Sequence, residues 1–158
     1  MADARTDIET REDCERLVRA FYGRALTDPV LSFIFVDVAH LDLEEHVPRI
    51  TSFWETILLG AHSYSGGAFA PHAALHARVR LRAGHFERWL WLWRTTVDEL
   101  FAGERAELAK SHSRRVAQAF HDRLASIPVG VPAAGPGDGV SGLPMAPAGG
   151  LAVTHHGP

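Results

Sequence analysis

The sequence predicts an all-α fold, and three observations support this prediction. Apolar residues recur with the 3.6-residue period of an amphipathic helix along most of the first 127 residues. Helix-capping residues, prolines and glycines divide this part of the chain into segments of helical length. The one stretch with the period-two pattern of a strand, residues 78–82, stands alone among helical segments, so a strand there would have no partner. At 158 residues the chain is long enough to enclose one hydrophobic core.

Composition limits the classes of protein that the chain can represent. Apolar residues make up 46% of the sequence, and the net charge is −3 with both signs interspersed, which gives no basis for binding nucleic acid. The single cysteine, Cys14, cannot form an internal disulfide bond. The N-terminus is acidic and polar, unlike a signal peptide, and no apolar run approaches the roughly 20 residues that span a bilayer. We therefore expect a cytoplasmic protein with no membrane partner.

The N-terminal residues predict a helix followed by a short apolar segment. Residues 1–9 have no helical pattern and are expected to be flexible. Thr10 and Asp13 form a capping-box pattern before the first helix. The inward face of that helix consists of Cys14, Leu17, Val18, Phe21, Tyr22 and Ala25. Asp28 and Pro29 then restart the chain as a cap and a first-turn proline. The apolar side chains that follow are expected to be buried: Val30, Leu31, Phe33, Ile34 and Phe35.

Two helix-breaking residues, Pro48 and Gly60, define the limits of the next long helix. Pro48 would remove a hydrogen bond deep inside a helix, so the regular helix is expected to begin near Glu45 or His46. Gly60 is expected to end it as the C-terminal cap. The inward positions of this helix are His46, Ile50, Phe53, Trp54, Ile57 and Leu58.

The C-terminal half predicts a short helix, two long helices and a tail. The short helix is expected to begin at His72, and residues 78–82 form an irregular connection. The inward face of the next helix, which begins at His85 as its cap, consists of Phe86, Trp89, Leu90, Trp93, Val97, Leu100 and Phe101. After Gly103, the last helix has as its inward face Ala106, Ala109, Ser113, Val116, Ala117, Phe120 and Leu124. Of the 31 residues from 128 to 158, 14 are Gly or Pro, which predicts a disordered tail after a domain spanning residues 10–127.

The stretch from Tyr64 to Trp93 carries an unusual concentration of chemistry. It contains three histidines and three of the four tryptophans of the chain. His72 follows Gly66-Gly67 and Pro71, where an imidazole can project into a cleft, and Trp89 lies on the inward stripe of the next helix. A nitrogen able to bind a metal and a wide aromatic wall facing one space are expected around a planar cofactor with a metal centre.

Several ordered motifs between Leu17 and Leu124 resemble one known family. They are Phe21-Tyr22, Phe33-Ile34-Phe35, His46-Val-Pro-Arg-Ile50, Phe53-Trp54, Leu58-Leu59-Gly60, Tyr64-x-Gly66, Pro71-His72 and His85-Phe86-x-x-Trp89-Leu90-x-Leu92-Trp93. In number, order and spacing they resemble the third group of truncated haemoglobins. The resemblance implies a globin domain over residues 10–127, in which two helices pack over two others around haem b. It does not extend to the tail.

The resemblance also implies a role for each matching residue. His72 corresponds to the proximal ligand of the iron. The polar distal residues, which would carry out any catalysis, correspond to Tyr22, His46 and Trp89. The side chains that contact the haem correspond to Phe35, which stacks on it, and to Phe21 and Ile50 on the distal wall.

Other readings of these residues remain open in the sequence. His76 follows His72 by four residues and could share a zinc ion with it, although no third ligand has suitable spacing. His76 is also the next candidate for the proximal ligand. The cations available to haem propionates are Arg49, Arg78, Arg80 and Arg82.

The function that this resemblance implies is the binding of dioxygen and other diatomic ligands, whether for oxygen transport or for redox chemistry such as nitric oxide dioxygenation or peroxide reduction. Three candidate donors exceed what simple oxygen carriage requires, because strong hydrogen bonds slow ligand release. We expect a separate reductase, since the sequence shows no flavin or nicotinamide domain. The alternative is a haem-based ligand sensor whose tail contacts a partner. A helical bundle without a cofactor is a third reading.

Overall fold

A computed structural model describes residues 4–67 and 69–127 of the chain. These residues form five α-helices, which are α1 (Arg11–Ala25), α2 (Leu43–Leu59), α3 (Phe69–Arg78), α4 (Ala83–Leu100) and α5 (Glu104–Ala125). A π-helical segment, Phe33–Val38, lies between α1 and α2. Among the described residues the only β-type pairing is an isolated bridge between Thr6 and Phe101, so the all-α prediction is confirmed.

The four long helices form two antiparallel pairs that pack on each other. Arg11 at the start of α1 contacts Glu55 near the end of α2 at 2.8 Å, and Arg19 further along α1 contacts Glu44 near the start of α2 at 3.1 Å. The second pair is α4 with α5, joined by a connection of three residues. The first pair lies on the second through contacts of α1 with α4 and of α2 with α5. This arrangement is a two-over-two helical sandwich.

The first and last helices follow their sequence patterns closely. The capping box is present at Thr10, whose side chain accepts a hydrogen bond from the backbone N–H of Asp13 at 3.1 Å. The predicted inward faces of α1 and α5 are buried at every position. An amphipathic helix with a wide apolar stripe can be buried in only one orientation, which explains this agreement.

The segment between α1 and α2 departs from the prediction. Asp28 caps it as expected, because its carboxylate accepts hydrogen bonds from the backbone N–H groups of Val30 and Leu31. Leu31, Ile34 and Phe35 are buried, whereas Val30 and Phe33 are 42% and 51% exposed. The expectation that all five apolar residues are buried was therefore wrong. A single helical turn can direct only part of a continuous apolar run toward the core.

Helix α2 begins earlier than predicted, with Pro48 at its sixth position. The prediction of a start near Glu45 or His46 was wrong because the Asp42 carboxylate accepts hydrogen bonds from the N–H groups of Glu44 and Glu45, at 3.1 and 3.3 Å. This cap stabilises a turn ahead of the proline. Gly60 ends the helix in the left-handed conformation, with φ of 76°, as expected.

Helix α3 also begins earlier than predicted, three residues before His72. Pro71 is the third helical residue, where its missing N–H costs no intrahelical hydrogen bond, so the proline lies in the first turn instead of preceding the helix. The connection after α3 is irregular, as predicted, and the His85 ring caps α4 by accepting a hydrogen bond from the N–H of Arg82 at 2.9 Å. Trp91 lies outside the inward stripe and is 49% exposed.

The N-terminal segment, which the sequence predicts to be flexible over residues 1–9, contacts the start of α5 through Asp7. Ile8 is fully buried. The Asp7 carboxylate accepts hydrogen bonds from the N–H groups of Arg105 and Ala106, both at 2.9 Å, and thereby caps α5. Gly103, with φ of 145°, leaves room for that carboxylate, because a Cβ there would lie 2.4 Å from its Cγ. The predicted tail, residues 128–158, lies outside the described residues.

No helix within residues 4–67 and 69–127 combines the length and the apolar character that crossing a lipid bilayer requires.

Candidate functional site

A cluster of aromatic and polar side chains surrounds Tyr22 in the middle of the sandwich. The ring centroid of Tyr22 lies 5.2 Å from that of Phe21, 5.7 Å from that of Phe35 and 6.2 Å from that of His46. Phe21 extends the cluster to α4, since its ring lies 5.5 Å from that of Trp89. The structure thus assembles predicted site residues from α1, the π-helical segment, α2 and α4 in one place.

Two hydrogen-bond donors in this cluster have no partner among the described residues. The Tyr22 hydroxyl and the Trp89 indole N–H are buried, and no acceptor among the described residues lies within hydrogen-bond distance of either group. Burial raises the pKa of Tyr22, so its hydroxyl stays protonated and can donate at neutral pH. A buried polar group without a partner costs about 1–3 kcal/mol, which makes two such donors in one cluster an indication of a ligand.

Helix α2 contributes two further predicted residues to this region. His46 is fully buried and Ile50 is 2% exposed, and they lie one helical turn apart on the inward face. The sequence left open whether His46 points into or out of the domain. In the structure its ring lies inside, next to that of Tyr22.

His72, the predicted proximal ligand, lies on α3. It is 1% exposed, and its ring centroid lies 4.9 Å from that of Phe120 in α5. Helix α3 packs against α5, and any contact it makes with the other described helices is weaker. Among the described helices, α3 is therefore the one that contributes least to the packing of the sandwich.

The residues present fit a haem group with one protein ligand. An imidazole is the usual proximal ligand of haem iron in globins, and His72 is the buried imidazole on the loosely packed helix. The distal side of such a site needs hydrogen-bond donors in an apolar wall. Tyr22 and Trp89 are donors of this kind, and Phe21 and Phe35 supply the wall.

The alternative roles of His76 find no support. Its Nδ1 accepts a hydrogen bond from the N–H of Leu81 at 3.0 Å, so the ring holds the connection that follows α3. Burial lowers the pKa of His76, and the neighbouring Arg80 and His121 lower it further. Within residues 4–67 and 69–127, no three His, Cys, Asp or Glu side chains come together as they would around zinc.

A cleft of about 220 Å³ opens between α2 and the loop before α3. Its wall includes Arg49, Phe53, Tyr64 and Pro71, together with Ser52, Ser63 and Ser65. Arg49 is therefore the one of the four candidate arginines that lines this cleft, while Arg78, Arg80 and Arg82 are exposed elsewhere.

Sequence reasoning missed a second aromatic group next to the cleft. The Trp54 ring stacks on that of Trp93 at 4.7 Å, and His112 lies edge-on to Trp54 at 6.0 Å. Burial, followed by the charge of Arg115, lowers the pKa of His112 to about 4, so the ring is neutral at pH 7. The position of His112, three residues after Ala109 and four before Val116, was the available indication that it faces inward.

Comparison with known proteins gives two relevant matches. No family model matches the chain. A curated relative, the group 3 truncated hemoglobin ctb of Campylobacter jejuni, is 25% identical over 117 residues, which cover 72% of this chain and 90% of the relative. A crystal structure of group III truncated hemoglobin from Campylobacter jejuni aligns with a TM-score of 0.67 at 24% identity, covering 76% of this chain and 94% of that one. The chain has the truncated-globin fold, and the resemblance inferred from its motifs is confirmed.

Proposed function

We propose that this protein binds haem b through His72 and uses it to bind dioxygen and other small diatomic ligands. The observation that carries the proposal is a pair of buried donors in one aromatic cluster, the Tyr22 hydroxyl and the Trp89 N–H, neither of which has a partner within residues 4–67 and 69–127. The relative and the structural neighbour that match this chain are both named as truncated hemoglobins, which supports the same conclusion. Haem b, when bound, supplies iron that takes diatomic ligands and exchanges single electrons.

The role of His72 is to hold the cofactor and to define its proximal side. A histidine binds a metal through a neutral imidazole nitrogen, and His72 offers a buried imidazole for this role. Its neighbour Phe120 fixes the ring by edge-on packing at 4.9 Å. The other cofactor contacts are proposed to come from Phe35, stacked against the flat face, and from Phe21 and Ile50 on the distal wall.

The role of Tyr22, Trp89 and His46 is to hold the ligand on the distal side. A hydroxyl and an indole N–H that already lie in an apolar cluster lose little solvation when they donate to a ligand that carries negative charge. Each hydrogen bond to such a group is worth about 1.5–3 kcal/mol. His46 contacts Tyr22 and adds a third polar group, whose ring can orient the hydroxyl or act as a gate.

The polarity of the distal side favours redox chemistry over simple transport of dioxygen. Donors that stabilise negative charge polarise an O–O bond, which suits nitric oxide dioxygenation or peroxide reduction. Electrons for repeated turnover would come from a separate reductase.

Absorption spectroscopy tests the cofactor assignment. Titration of the full chain with haemin should produce an intense Soret band that saturates at one haem per chain. A spectrum that stays that of free haemin would contradict the proposal.

Two matched variants on α4 test the distal assignment. Trp89→Phe should speed dioxygen dissociation, because the N–H of Trp89 donates to no group in the described part of the chain and so can donate to the ligand. Trp93→Phe should not, because the N–H of Trp93 already donates to the carbonyl of Ala109 at 3.3 Å. Equal effects of the two variants would remove Trp89 from the ligand site.

Turnover is tested separately from binding. The haem-loaded protein, supplied with a reductase and NADH, should convert nitric oxide to nitrate or consume peroxide faster than free haem does. Ligand binding without either reaction would favour the ligand-sensor alternative.

A further inference from the structure

Trp91 is an exposed tryptophan whose orientation is fixed by the domain. It lies on the outward side of α4, opposite the face that carries Trp89 and Trp93. The guanidinium carbon of Arg88 lies 4.7 Å from the centroid of its ring, so one face of the indole is covered and the other is left open. Arg88 is itself held by Asp28 at 2.6 Å. A large aromatic side chain held in one orientation loses little conformational freedom when a partner binds, which makes it a suitable anchor.

Two further exposed apolar side chains lie on the segment that holds Arg88. The backbone N–H of Val30 donates to the same Asp28 carboxylate that Arg88 contacts, and the Val30 side chain is exposed. Phe33, three residues further along, is also exposed. Exposed aromatic and branched side chains grouped in this way are typical of a surface that contacts another protein.

Two charged side chains on the exposed face of α4 have no partner in the described part of the chain. Glu87 and Arg94 are exposed, and neither makes a hydrogen bond or an ion pair with any residue in 4–67 or 69–127. The unpaired charges are thus one negative and one positive, on either side of Trp91. The other charged residues of α4 are paired: Arg88 with Asp28, Asp98 with Lys110, and Glu99 with Arg24.

The two unpaired charges and Trp91 form one stripe along α4. Glu87, Trp91 and Arg94 are spaced by four and three residues, so they lie within a narrow sector of the helix surface. Where two such helices pack antiparallel with Trp91 at the crossing point, Glu87 of each copy faces Arg94 of the other, because each residue lies about one turn from Trp91. A parallel arrangement would place like charges together. The stripe is therefore complementary to itself in one orientation, as a two-fold symmetric contact requires.

We propose that the exposed face of α4 is the interface of a symmetric homodimer, in which Trp91 of one copy packs on Trp91 of the second and Glu87 pairs with Arg94 across the interface. One helix face per copy is small compared with a standard interface of about 1,600 Å², so the dimer should dissociate reversibly in the micromolar range. The proposal is independent of the haem assignment, since no residue of the candidate ligand site takes part. Trp89 lies on the opposite face of α4, so each copy keeps its own candidate site.

Sedimentation velocity of the full chain, from micromolar to millimolar concentration, tests the interface. We expect a reversible equilibrium between monomer and dimer. Trp91→Ala should raise the dissociation constant at least about tenfold, because two-fold symmetry removes the anchor from both sides of the contact. The matched control is Leu108→Ala, which removes an exposed apolar side chain from α5 and should leave the dissociation constant unchanged.

Exchange of the two charges distinguishes this pairing from other ways of joining two copies. Glu87→Arg alone and Arg94→Glu alone each place like charges opposite one another at two positions, and each should weaken the dimer roughly tenfold. The double variant Glu87→Arg/Arg94→Glu places opposite charges across the interface again. It should recover the original dissociation constant to within about twofold.

Each outcome decides the proposal. A monomer at every concentration would overturn it, and so would a dimer that Trp91→Ala leaves intact. A double charge variant that dimerises no better than the single variants would overturn the antiparallel pairing and the interface with it. The substituted side chains are exposed, so the variants should keep the circular dichroism of the unmodified protein. If Trp91→Ala does not fold, the three charge variants, which retain Trp91, decide the question.

Discussion

Replacing Tyr22 with phenylalanine separates the two roles that a buried hydroxyl can have. The hydroxyl is fully enclosed and has no partner among the described residues, so it contributes no internal hydrogen bond that the substitution would remove. If it donates to a ligand, its removal costs about 1.5–3 kcal/mol of ligand stabilisation, and dioxygen dissociation should accelerate roughly 10- to 100-fold.

The same substitution should leave the fold intact or stabilise it. Burying a hydroxyl without a partner is unfavourable, so the cofactor-free Tyr22→Phe variant should have an unfolding free energy equal to that of the unmodified protein or about 1 kcal/mol higher. The phenylalanine ring keeps the edge contacts with Phe21 and Phe35.

Two measurements read out this prediction. Stopped-flow displacement of dioxygen by carbon monoxide gives the dissociation rate, and urea unfolding gives the stability. Tyr64→Phe, at the other tyrosine of the chain, is the control and should leave the dissociation rate unchanged. An unchanged rate in Tyr22→Phe, accompanied by a loss of stability, would refute the reasoning, because it would mean that the hydroxyl serves the fold.

Three further substitutions test the fold through urea unfolding. Gly103→Ala should lower the free energy of unfolding by about 2 kcal/mol, because the residue has a positive φ and the new Cβ would displace the Asp7 carboxylate that caps α5. An unchanged free energy of unfolding would contradict this close approach. Asp28→Asn should cost about 2 kcal/mol at pH 7 by removing the charge that meets Arg88 at 2.6 Å. Burial alone would raise the pKa of Asp28, but hydrogen bonds from Arg88 and the backbone outweigh it and hold the pKa below 3.8. The stability lost in Asp28→Asn should therefore be complete above pH 3.8 and should disappear as the pH falls through the lower pKa that Asp28 has in the folded protein. A stability difference between the variant and the unmodified protein that grows in acid would be inconsistent with the ion pair. Thr10→Ala should cost about 1 kcal/mol through loss of the capping box, and no change would indicate that α1 does not depend on its cap.

The elements with strong periodicity were predictable from sequence, and those with competing local effects were not. The inward faces of α1 and α5 were predicted residue by residue, because one apolar stripe allows one buried orientation. The starts of α2 and α3 were not, since each lies close to a proline whose effect depends on its position in the first turns of the helix. For α2, the two hydrogen bonds accepted by Asp42 decide the matter, and Pro48 is accommodated inside the helix.

Within the candidate site, it was easier to predict from sequence which residues take part than how their side chains are arranged. The motifs pointed to Tyr22 and Trp89, and both lie in the same cluster. The stack of Trp54 on Trp93 joins residues 39 positions apart on different helices, so no local pattern reveals it. The exposure of Phe33 was missed for a related reason, since a continuous apolar run does not show which of its residues face the core.

The most direct test of the central claim compares two glycine substitutions on α3. His72→Gly and His76→Gly place the same helix-weakening residue one turn apart, so a general loss of α3 would affect both. After addition of haemin, His72→Gly should lack the Soret band of the unmodified protein and regain it with added imidazole, while His76→Gly should keep it throughout. An unchanged Soret band in His72→Gly without imidazole would mean that His72 does not hold the haem.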